Sequence, residues 1–262
     1  ESGGILDDLM VTRPANPLQE GELLLIVNAS TKEGDYAHIG AHLPAGVELR
    51  RFDDRALLAL QGPEAENVLS RLAPDLAGLA FMQGGETMIG GIPAHVSRSG
   101  YTGEDGFEIS VPAERAAELW RLLLADEQVK AIGLGARDSL RLEAGLCLYG
   151  HDIDTTTSPV EAGLTWSIQK RRREGGGFPG ASRIQRELKE GPSRVRVGLK
   201  PEGRAPAREG SAITMPDGMM DVSNGRLRKT APNGDGTTTW EWFVSSPING
   251  YDVTANAGSY AH

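Results

Sequence analysis

Cysteine is nearly absent from this sequence: the 262 residues contain one, Cys147. A single thiol excludes an internal disulfide framework and any zinc site built from several cysteines, and it favours a reducing compartment. The five histidines are scattered, and only His38 and His42 have the four-residue spacing that a helix would bring onto one face. Pro44 and Gly46 end that segment quickly, so we predict no metal site.

Positive charge and long apolar runs are also scarce. Lysine and arginine number 27 against 36 aspartates and glutamates, which gives a net charge of −9 and a pI of about 5.1. Such a composition argues against general binding of nucleic acid, although a local basic site stays open. No apolar run approaches the ~20 residues of a membrane span, and no signal peptide opens the chain. We therefore expect neither a nucleic-acid nor a membrane partner.

The beginning of the chain combines apolar residues with two carboxylates. Its length allows one large domain or two medium ones, and its opening on apolar residues leads us to expect a further segment in front. Residues Ile5–Val11 predict a buried strand with Asp7 and Asp8 on opposite faces. If both faces are covered, one carboxylate lies in apolar surroundings, where a charge is costly unless it is paired or used. An edge strand with both acids partly solvated is the alternative.

Glycine is abundant, and three glycines punctuate the stretch from Ser97 to Val111. Their three-residue spacing lets the backbone adopt positive φ and pass close to another surface; they are Gly100, Gly103 and Gly106. The residues that follow alternate between apolar and polar, which predicts a half-buried strand with Glu108 opposite the apolar face. A carboxylate there, beside Tyr101 on the loop, could receive a flat ligand with several N–H donors. An ordinary hairpin with a solvated glutamate is the alternative.

Two groups of cations stand out in this acidic chain. A helix that opens at Gly133 is predicted to carry Arg137 and Arg141 one turn apart on one face. Arg137 lies in the first turn, where the helix dipole disfavours cations, so an anionic ligand would relieve the conflict. Pairing with nearby acids on a solvated surface is the alternative. The run Lys170–Arg173 indicates an anion or an acidic partner, or else a solvated linker.

The remaining pattern mixes strands and helices. Residues Glu22–Asn28 predict a strand that is the hairpin partner of the first and ends at Asn28. Further strands are predicted at Val47–Phe52, Ala56–Leu60, Thr87–Ser97 (as a pair), Leu164–Ile168, Arg194–Lys200 and Trp240–Val244. Helices are predicted at Ser30–His42, at Glu64–Leu72, from Pro112 onward and at Ser182–Glu190. The first of these helices is expected to be capped by Ser30, in a capping box with Glu33.

Several motifs follow one another in a fixed order along the chain. They read Gly-Gly-Ile-Leu-Asp-Asp-Leu, Val-Asn-Ala-Ser, Leu-Gln-Gly-Pro, Gly-Tyr-Thr-Gly-Glu-Asp-Gly-Phe-Glu-Ile, Gly-Ala-Arg-Asp-Ser-Leu-Arg-Leu-Glu-Ala-Gly-Leu-Cys-Leu-Tyr-Gly, Pro-Val-Glu-Ala-Gly-Leu-Thr-Trp, and Lys-Arg-Arg-Arg before Phe-Pro-Gly-Ala. In this combination the chain closely resembles the aminomethyltransferase family of the glycine cleavage system, the T-proteins. The resemblance runs from Gly3 to about Asp217.

The resemblance implies a fold and a reaction. The fold is the α+β, folate-binding aminomethyltransferase type, with antiparallel sheets, packed helices and a C-terminal β-barrel-like domain. Residues 1–170 would form the folate-binding core and residues 171–262 the C-terminal β domain, divergent after about residue 218. In this family the one-carbon unit passes from aminomethyl-lipoyl H-protein to tetrahydrofolate, and ammonia is released. The compartment would be the cytoplasm, or the mitochondrial matrix in a eukaryote.

The resemblance also implies site residues. The family's catalytic aspartate, which faces folate N10, matches Asp8; it would position that nitrogen and stabilise developing positive charge, or pass a proton toward departing ammonia. The pterin-binding glutamate matches Glu108 and its aromatic neighbour matches Tyr101. Asn28 and Arg137 match two further folate-contacting residues. The Lys170–Arg173 run is expected to help dock H-protein.

Two departures from the family keep other functions open. The family's opening segment is absent from this sequence, and the sequence beyond Gly218 does not follow the family's closing pattern. A non-catalytic folate-binding remnant and a related folate-dependent demethylase are therefore alternatives. A folate-binding module of the iron–sulfur assembly type is disfavoured, because such modules carry a Lys-Gly-Cys motif and residues 170–180 here contain no cysteine.

Overall fold

The chain forms two compact units, which we name by their place in the sequence. The computed structural model describes residues 2–14, 20–198, 213–217, 220–223, 226–243 and 255–258. The central unit comprises residues 9–146, and the terminal unit comprises residues 1–8 together with 147–262. The expected division into residues 1–170 and 171–262 stays a prediction. Within the described residues, no helix has the length and apolar character that crossing a membrane requires.

The central unit begins with a short antiparallel ribbon. Strand β1 (Met10–Thr12) pairs with β2 (Leu24–Ile26), which confirms the predicted hairpin pairing. The predicted extent of the first strand, Ile5–Val11, is wrong, because residues 5–9 do not pair with another strand. The Ile5 amide instead donates to the carbonyls of Asp154 and Thr157, at 3.1 and 3.0 Å, within the terminal unit.

Helix α1 (Lys32–Ala41) follows the ribbon. The helix was expected, but Ser30 does not cap it: its N-cap is Thr31, whose hydroxyl donates to the Asn28 carbonyl at 3.2 Å. The strand predicted at Val47–Phe52 is wrong, although this segment lies within the described range 20–198. Both of its terminal apolar side chains are largely exposed, so the segment has no buried face to hold it in a sheet.

A four-stranded antiparallel sheet forms the centre of this unit. Its strands are β3 (Arg55–Gln61), β4 (Gly84–Ile89), β5 (Ile92–Ser97) and β6 (Gly106–Pro112), in the order β3-β6-β5-β4. Helices α2 (Ala65–Leu72) and α3 (Ala116–Leu124) contribute to the core on one face. Helix α4 (Leu134–Glu143) follows α3 in the same unit. The largest buried side chains of this core include Leu60, Val68, Leu69, Ile89, Ile92, Val96, Phe107, Ile109, Val111 and Leu119.

Strand β6 has the alternation that the sequence predicts. Phe107, Ile109 and Val111 are buried, while Glu108 and Ser110 are only half-buried. Full burial of such apolar side chains contributes about 1.5–3 kcal/mol each. The three together therefore fix which way β6 faces. A one-residue slip would turn Glu108 into the core, so the packing of its neighbours sets its direction.

The described part of the terminal unit contains two α-helices and an ion-pair cluster. Helix α5 (Lys170–Gly175) precedes α6 (Ala181–Glu190), whose Arg183 binds Glu187 at 2.6 Å and Glu161 at 2.9 Å. The strand predicted at Leu164–Ile168 is wrong, because Thr165–Ser167 forms a 3-10 turn. The reason is local: the amide and the hydroxyl of Ser167 both donate to the Leu164 carbonyl.

Six short strands complete the described part of the terminal unit. β7 (Val195–Arg196), β12 (Ala255–Gly258) and β9 (Met220–Ser223) form one antiparallel sheet, in that order. β10 (Arg226–Pro232), β11 (Thr237–Phe243) and β8 (Ile213–Pro216) form another. Two strands were predicted in this region, Arg194–Lys200 and Trp240–Val244. Residues 199–200 of the first and residue 244 of the second lie outside the described residues. Helices with antiparallel sheets confirm the α+β class.

Candidate functional site

Glu108 is a predicted site residue whose carboxylate is held by a neighbouring side chain. It lies on β6, opposite Ser97 of β5 in the sheet register, and the two strands are joined by residues 98–105, which we call the glycine loop. The hydroxyl of Ser99, the second residue of the loop, donates to Glu108 Oε2 at 2.7 Å. The glycine loop therefore holds the carboxylate that follows it.

A second serine extends this contact. The Ser97 and Ser99 Oγ atoms are 2.8 Å apart, and both residues are buried, at 2% and 3% exposure. A hydroxyl carries one proton, and that of Ser99 is directed at Glu108. Ser97 must then donate to Ser99. The result is an ordered chain of two hydroxyls that ends on the carboxylate.

Gln61, at the end of β3, ties the two ends of the glycine loop together. Its Nε2 donates to the Ser99 carbonyl at 3.0 Å and to the Phe107 carbonyl at 3.3 Å. Its Oε1 accepts from the Thr102 hydroxyl at 3.1 Å. Both polar ends of this half-buried amide are used, as buried polar groups require. Gln61 thus sets the loop's path before and after Tyr101.

The loop glycines have different reasons to be glycine. A Cβ on Gly100 would lie 1.8 Å from Gln61 Oε1, and one on Gly106 would lie 2.5 Å from Gln61 Nε2. Gly103 has a φ of +78°, and a Cβ there would meet the Cβ of Ala144 at 2.6 Å. The predicted positive φ is therefore found at Gly103, whereas Gly100 and Gly106 allow close approach.

Arg98 anchors the glycine loop at its base. Its guanidinium donates two bonds to the Asp105 carboxylate, at 2.9 and 2.6 Å, and also binds Glu66 at 2.8 Å. The hydrogen bond from Arg98 lowers the pKa of Asp105. A third contact reaches the Leu79 carbonyl at 2.8 Å. Bidentate pairing of this kind fixes orientation as well as distance, so both ends of the loop are held.

The structure brings two of the predicted site residues into contact. Helix α4 (Leu134–Glu143) starts after Gly133, as predicted, and places the Arg137 guanidinium 4.6 Å from the centre of the Tyr101 ring. This distance is that of a cation–π contact. Arg141, expected to share a ligand with Arg137, is instead 1% exposed, and its Nε donates to Asp138 at 2.8 Å. Arg141 is therefore buried and paired with an acid of its own helix.

Asn28 lies where the chain turns from β2 into α1. Its carbonyl accepts hydrogen bonds from the amides of Thr31 and Lys32, at 3.2 and 3.1 Å. The residue is half-buried. These bonds fix its backbone at the start of the helix. The predicted strand end at Asn28 is wrong by two residues, because β2 ends at Ile26.

The predicted catalytic residue belongs to the other unit. Asp8 ends the first segment of the terminal unit, and Asn28, Tyr101, Glu108 and Arg137 all belong to the central unit. Asp8 is exposed and Asp7 is half-buried. The two acids are thus partly solvated, as in the alternative that the sequence left open. Upstream of them, the Tyr149 hydroxyl donates to the Ile5 carbonyl at 3.4 Å.

The terminal unit contains a cavity of about 470 Å³. Its lining is mostly apolar and includes Gly3, Pro159, Ile168, Arg172, Phe178 and Ile184. The Arg172 guanidinium donates to the Gly177 carbonyl at 3.1 Å. None of the five predicted site residues is among the described residues that line this cavity.

The basic run Lys170–Arg173 lies on helix α5. It therefore does not form the solvated linker that was the alternative prediction. The Lys170 side chain is 81% exposed, and its ammonium is 3.8 Å from the carboxylate of Glu174, one turn further. Arg171 is exposed as well. An exposed pair of this kind contributes little to stability. The first turn of α5 therefore presents positive charge to solvent.

Sequence reasoning missed Gln61, Ser97 and Ser99 as site residues. A signal existed, because a glutamine that ends an apolar strand just before Gly-Pro is poorly explained by burial alone. Two serines flanking an arginine and followed by a glycine were equally visible. Ser97 contacts Ser99 two residues away, but the other partners of Ser99 and Gln61 are nine to 46 residues away, so only the fold shows what they bind.

Comparison with known proteins places the chain in a family. Residues 1–172 match the GCVT N-terminal domain. The chain is similar to the probable mitochondrial aminomethyltransferase of Schizosaccharomyces pombe, with 51% identity over 217 residues, 81% of this chain and 55% of that protein. It is 44% identical to the mitochondrial aminomethyltransferase of Dictyostelium discoideum over 239 residues, 85% of this chain and 58% of that protein. The chain thus spans little more than half the length of these curated relatives.

Comparison with a solved structure supports the same family. The crystal structure of glycine cleavage system aminomethyltransferase T from Bartonella henselae matches with a TM-score of 0.70 at 38% identity, covering 100% of this chain and 72% of that one. Identity at this level, with the domain match over about two thirds of the sequence, supports common ancestry. The chain therefore belongs to the GCVT N-terminal domain family, the family of the glycine cleavage aminomethyltransferases.

Proposed function

We propose that this chain is the aminomethyltransferase of a glycine cleavage system. It would move the one-carbon unit from aminomethyl-lipoyl H-protein to tetrahydrofolate and release ammonia. Family membership and 44–51% identity to proteins named aminomethyltransferase support this proposal. The observation that carries it is the glycine loop, which holds the Glu108 carboxylate through Ser99 and places Tyr101 beside Arg137.

The residues of this region fit a reduced folate. A pterin presents an amino group and ring N–H groups along one edge, and an ionised Glu108 can accept two such bonds in parallel. The Tyr101 ring offers a face to a flat heterocycle. Arg137 would bind the anionic glutamate of folate, and Asn28 would contribute a polar contact. When bound, tetrahydrofolate supplies the nitrogen that accepts the one-carbon unit.

Asp8 would act on the reacting nitrogen. An ionised Asp8 carboxylate can orient that nitrogen and stabilise positive charge that develops beside it. The same carboxylate could pass a proton toward departing ammonia. We favour positioning and electrostatics, because bringing two carriers into register supplies much of the available rate gain.

The lipoylated H-protein is the proposed partner, and α5 is its proposed docking site. Four cations begin this helix in a chain with a net charge of −9. Exposed charge of one sign steers association with a partner of the opposite sign. An acidic surface on H-protein would therefore meet Lys170–Arg173.

Two further expectations belong with this proposal. Residues 171–262 would form a β-barrel-like domain; the two three-stranded antiparallel sheets in the described part support it. The chain would act in the cytoplasm, or in the mitochondrial matrix if its source is a eukaryote. Relatives whose names include "mitochondrial" support the second of these compartments.

One assay tests the proposed function. The chain is mixed with tetrahydrofolate and aminomethylated H-protein, and ammonia and 5,10-methylene-tetrahydrofolate are measured. We expect both products in equal amounts. Binding of tetrahydrofolate without either product would indicate a folate-binding remnant. Methyl-tetrahydrofolate formed from a small methylated amine or sulfonium, with release of the demethylated amine or sulfide and no product from H-protein, would indicate a demethylase.

A further inference from the structure

We propose that Ser99 is a positioning residue for folate recognition, which it serves by holding the Glu108 carboxylate in its binding orientation. Ser97 supports Ser99 in this role. The inference rests on the proposed function, because the group that these two buried hydroxyls orient, the Glu108 carboxylate, is the group that would bind the pterin.

The hydroxyl chain has one possible direction. Ser99 Oγ is 2.7 Å from Glu108 Oε2, and an ionised carboxylate only accepts, so the Ser99 proton lies in this bond. Ser97 Oγ, at 2.8 Å, must then donate its own proton to Ser99. Both serines are almost fully buried, so water cannot easily replace either bond. The Ser99 hydroxyl therefore donates to the Glu108 carboxylate, because the Ser97 hydroxyl beside it is a weaker acceptor than the carboxylate.

The donor itself is fixed through the backbone. Gln61 Nε2 binds the Ser99 carbonyl at 3.0 Å, and the antiparallel register sets Ser97 opposite Glu108. Ser99 is thus held on one side by β3 and on the other by β5. Its hydroxyl position relative to β6 is determined by the sheet and needs no ligand.

This arrangement leaves the carboxylate ready to bind. A carboxylate has about four acceptor positions, and Ser99 occupies one of them. The remaining positions can take the N–H groups of a pterin edge without a new choice of side-chain rotamer. Ordering a flexible glutamate at the moment of binding would otherwise weaken the complex. Ser99 therefore improves affinity without touching the ligand.

The test compares three variants of the full chain. Ser99→Ala removes the donor, and Ser97→Ala/Ser99→Ala also removes the hydroxyl that would be left unpaired. Ser70→Ala is the matched control, because the Ser70 hydroxyl donates to the Asn67 carbonyl in α2 and to no carboxylate. Tetrahydrofolate affinity is measured by calorimetry, and KM and kcat in the H-protein assay.

We expect Ser99→Ala and the double variant to weaken tetrahydrofolate binding about tenfold and to raise KM with little change in kcat. Ser70→Ala should keep the parent values. In a Glu108→Gln background, the further loss caused by Ser99→Ala should be smaller, because glutamine still accepts from Ser99 but no longer offers the pterin a charged carboxylate. An equal loss in both backgrounds would show that Ser99 acts through general stability and would overturn the proposal, as would unchanged affinity in Ser99→Ala.

A second measurement needs no ligand. NMR coupling constants of the Glu108 side chain should report one rotamer in the parent chain and averaging in Ser99→Ala. Identical couplings in both would contradict the inference. If the parent chain fails to bind tetrahydrofolate, the proposed function is wrong, while these couplings still decide whether Ser99 positions Glu108.

Discussion

At the scale of single residues, three carboxylates have distinct surroundings in this chain. Glu108 is held by a buried serine, Asp105 is bound by Arg98, and Asp8 is exposed in the terminal unit. Sequence motifs predicted the first and the third as site residues. The sequence could not show what Ser99 and Gln61 bind, because a hydrogen bond between distant residues leaves no periodic pattern.

Asp8 is predicted to act in turnover and not in binding. Asp8→Asn keeps the size and polarity of the side chain and removes its charge. We expect this variant to bind tetrahydrofolate with nearly the parent affinity and to lose at least a hundredfold in kcat, about the contribution of one electrostatic or proton-transfer group. Calorimetry and the ammonia assay measure the two quantities. An Asp8→Asn chain with near-normal turnover would refute the role given to Asp8.

Asp105 is predicted to make stability depend on pH. The hydrogen bond from Arg98 lowers its pKa in the folded state, so protonation of Asp105 opposes folding. Its contribution is present above the unfolded pKa of about 4 and is lost as the pH falls through the lower folded value. The difference in Tm between the parent chain and Asp105→Asn should therefore be larger at pH 7 than at pH 3. A difference that does not change with pH would exclude this contribution.

At the scale of elements, the sequence was most informative where burial is regular. Strands β3 to β6 were predicted because they bury one face. Helices α2, α4 and α6 were predicted because their apolar residues recur with the helical period or because a residue that commonly precedes a helix marks where they begin. It was least informative for exposed or very short elements. The exposed segment at Val47–Phe52 and the turn at Thr165–Ser167 contain strand-forming residues, but local hydrogen bonds or lack of burial prevail.

Gln61 is predicted to be essential to the glycine loop as an element. Gln61→Leu keeps much of the side-chain volume but leaves the Ser99 and Phe107 carbonyls and the Thr102 hydroxyl without this partner. We expect a loss of about 1–3 kcal/mol in the free energy of unfolding, together with weaker tetrahydrofolate binding. Urea denaturation measures the first quantity and calorimetry the second.

A matched control exists for this substitution. Gln128 also accepts a hydrogen bond, from Arg71 at 3.0 Å, but on the exposed surface. Gln128→Leu should therefore change the free energy of unfolding by less than about 0.5 kcal/mol. Equal effects of the two substitutions would contradict the role of Gln61 in the loop.

Helix α5 is predicted to bind H-protein through its charge. Lys170→Glu/Arg171→Glu reverses two exposed cations and should weaken binding of lipoylated H-protein about tenfold or more, most strongly at low salt. Tetrahydrofolate affinity should not change. Arg186→Glu/Lys189→Glu, on the exposed face of α6, makes the same change in net charge and is the control. Equal losses in both double variants would indicate a general charge effect and not a docking site.

At the scale of the whole molecule, the motifs predicted the family correctly, and the matched domain covers residues 1–172. The order of several motifs carries more information than any one of them, since each alone has an ordinary structural explanation. What the motifs could not predict is the unit to which each predicted residue belongs. Asn28, Tyr101, Glu108 and Arg137 belong to the central unit and Asp8 to the terminal unit.

The central claim is that Glu108, presented by the glycine loop, recognises the pterin of tetrahydrofolate. The most direct measurement is a calorimetric titration of the parent chain and of Glu108→Ala with tetrahydrofolate, with circular dichroism to verify that both are folded. The account predicts saturable one-to-one binding by the parent chain and no measurable binding by folded Glu108→Ala. Equal affinity of the two chains would contradict it.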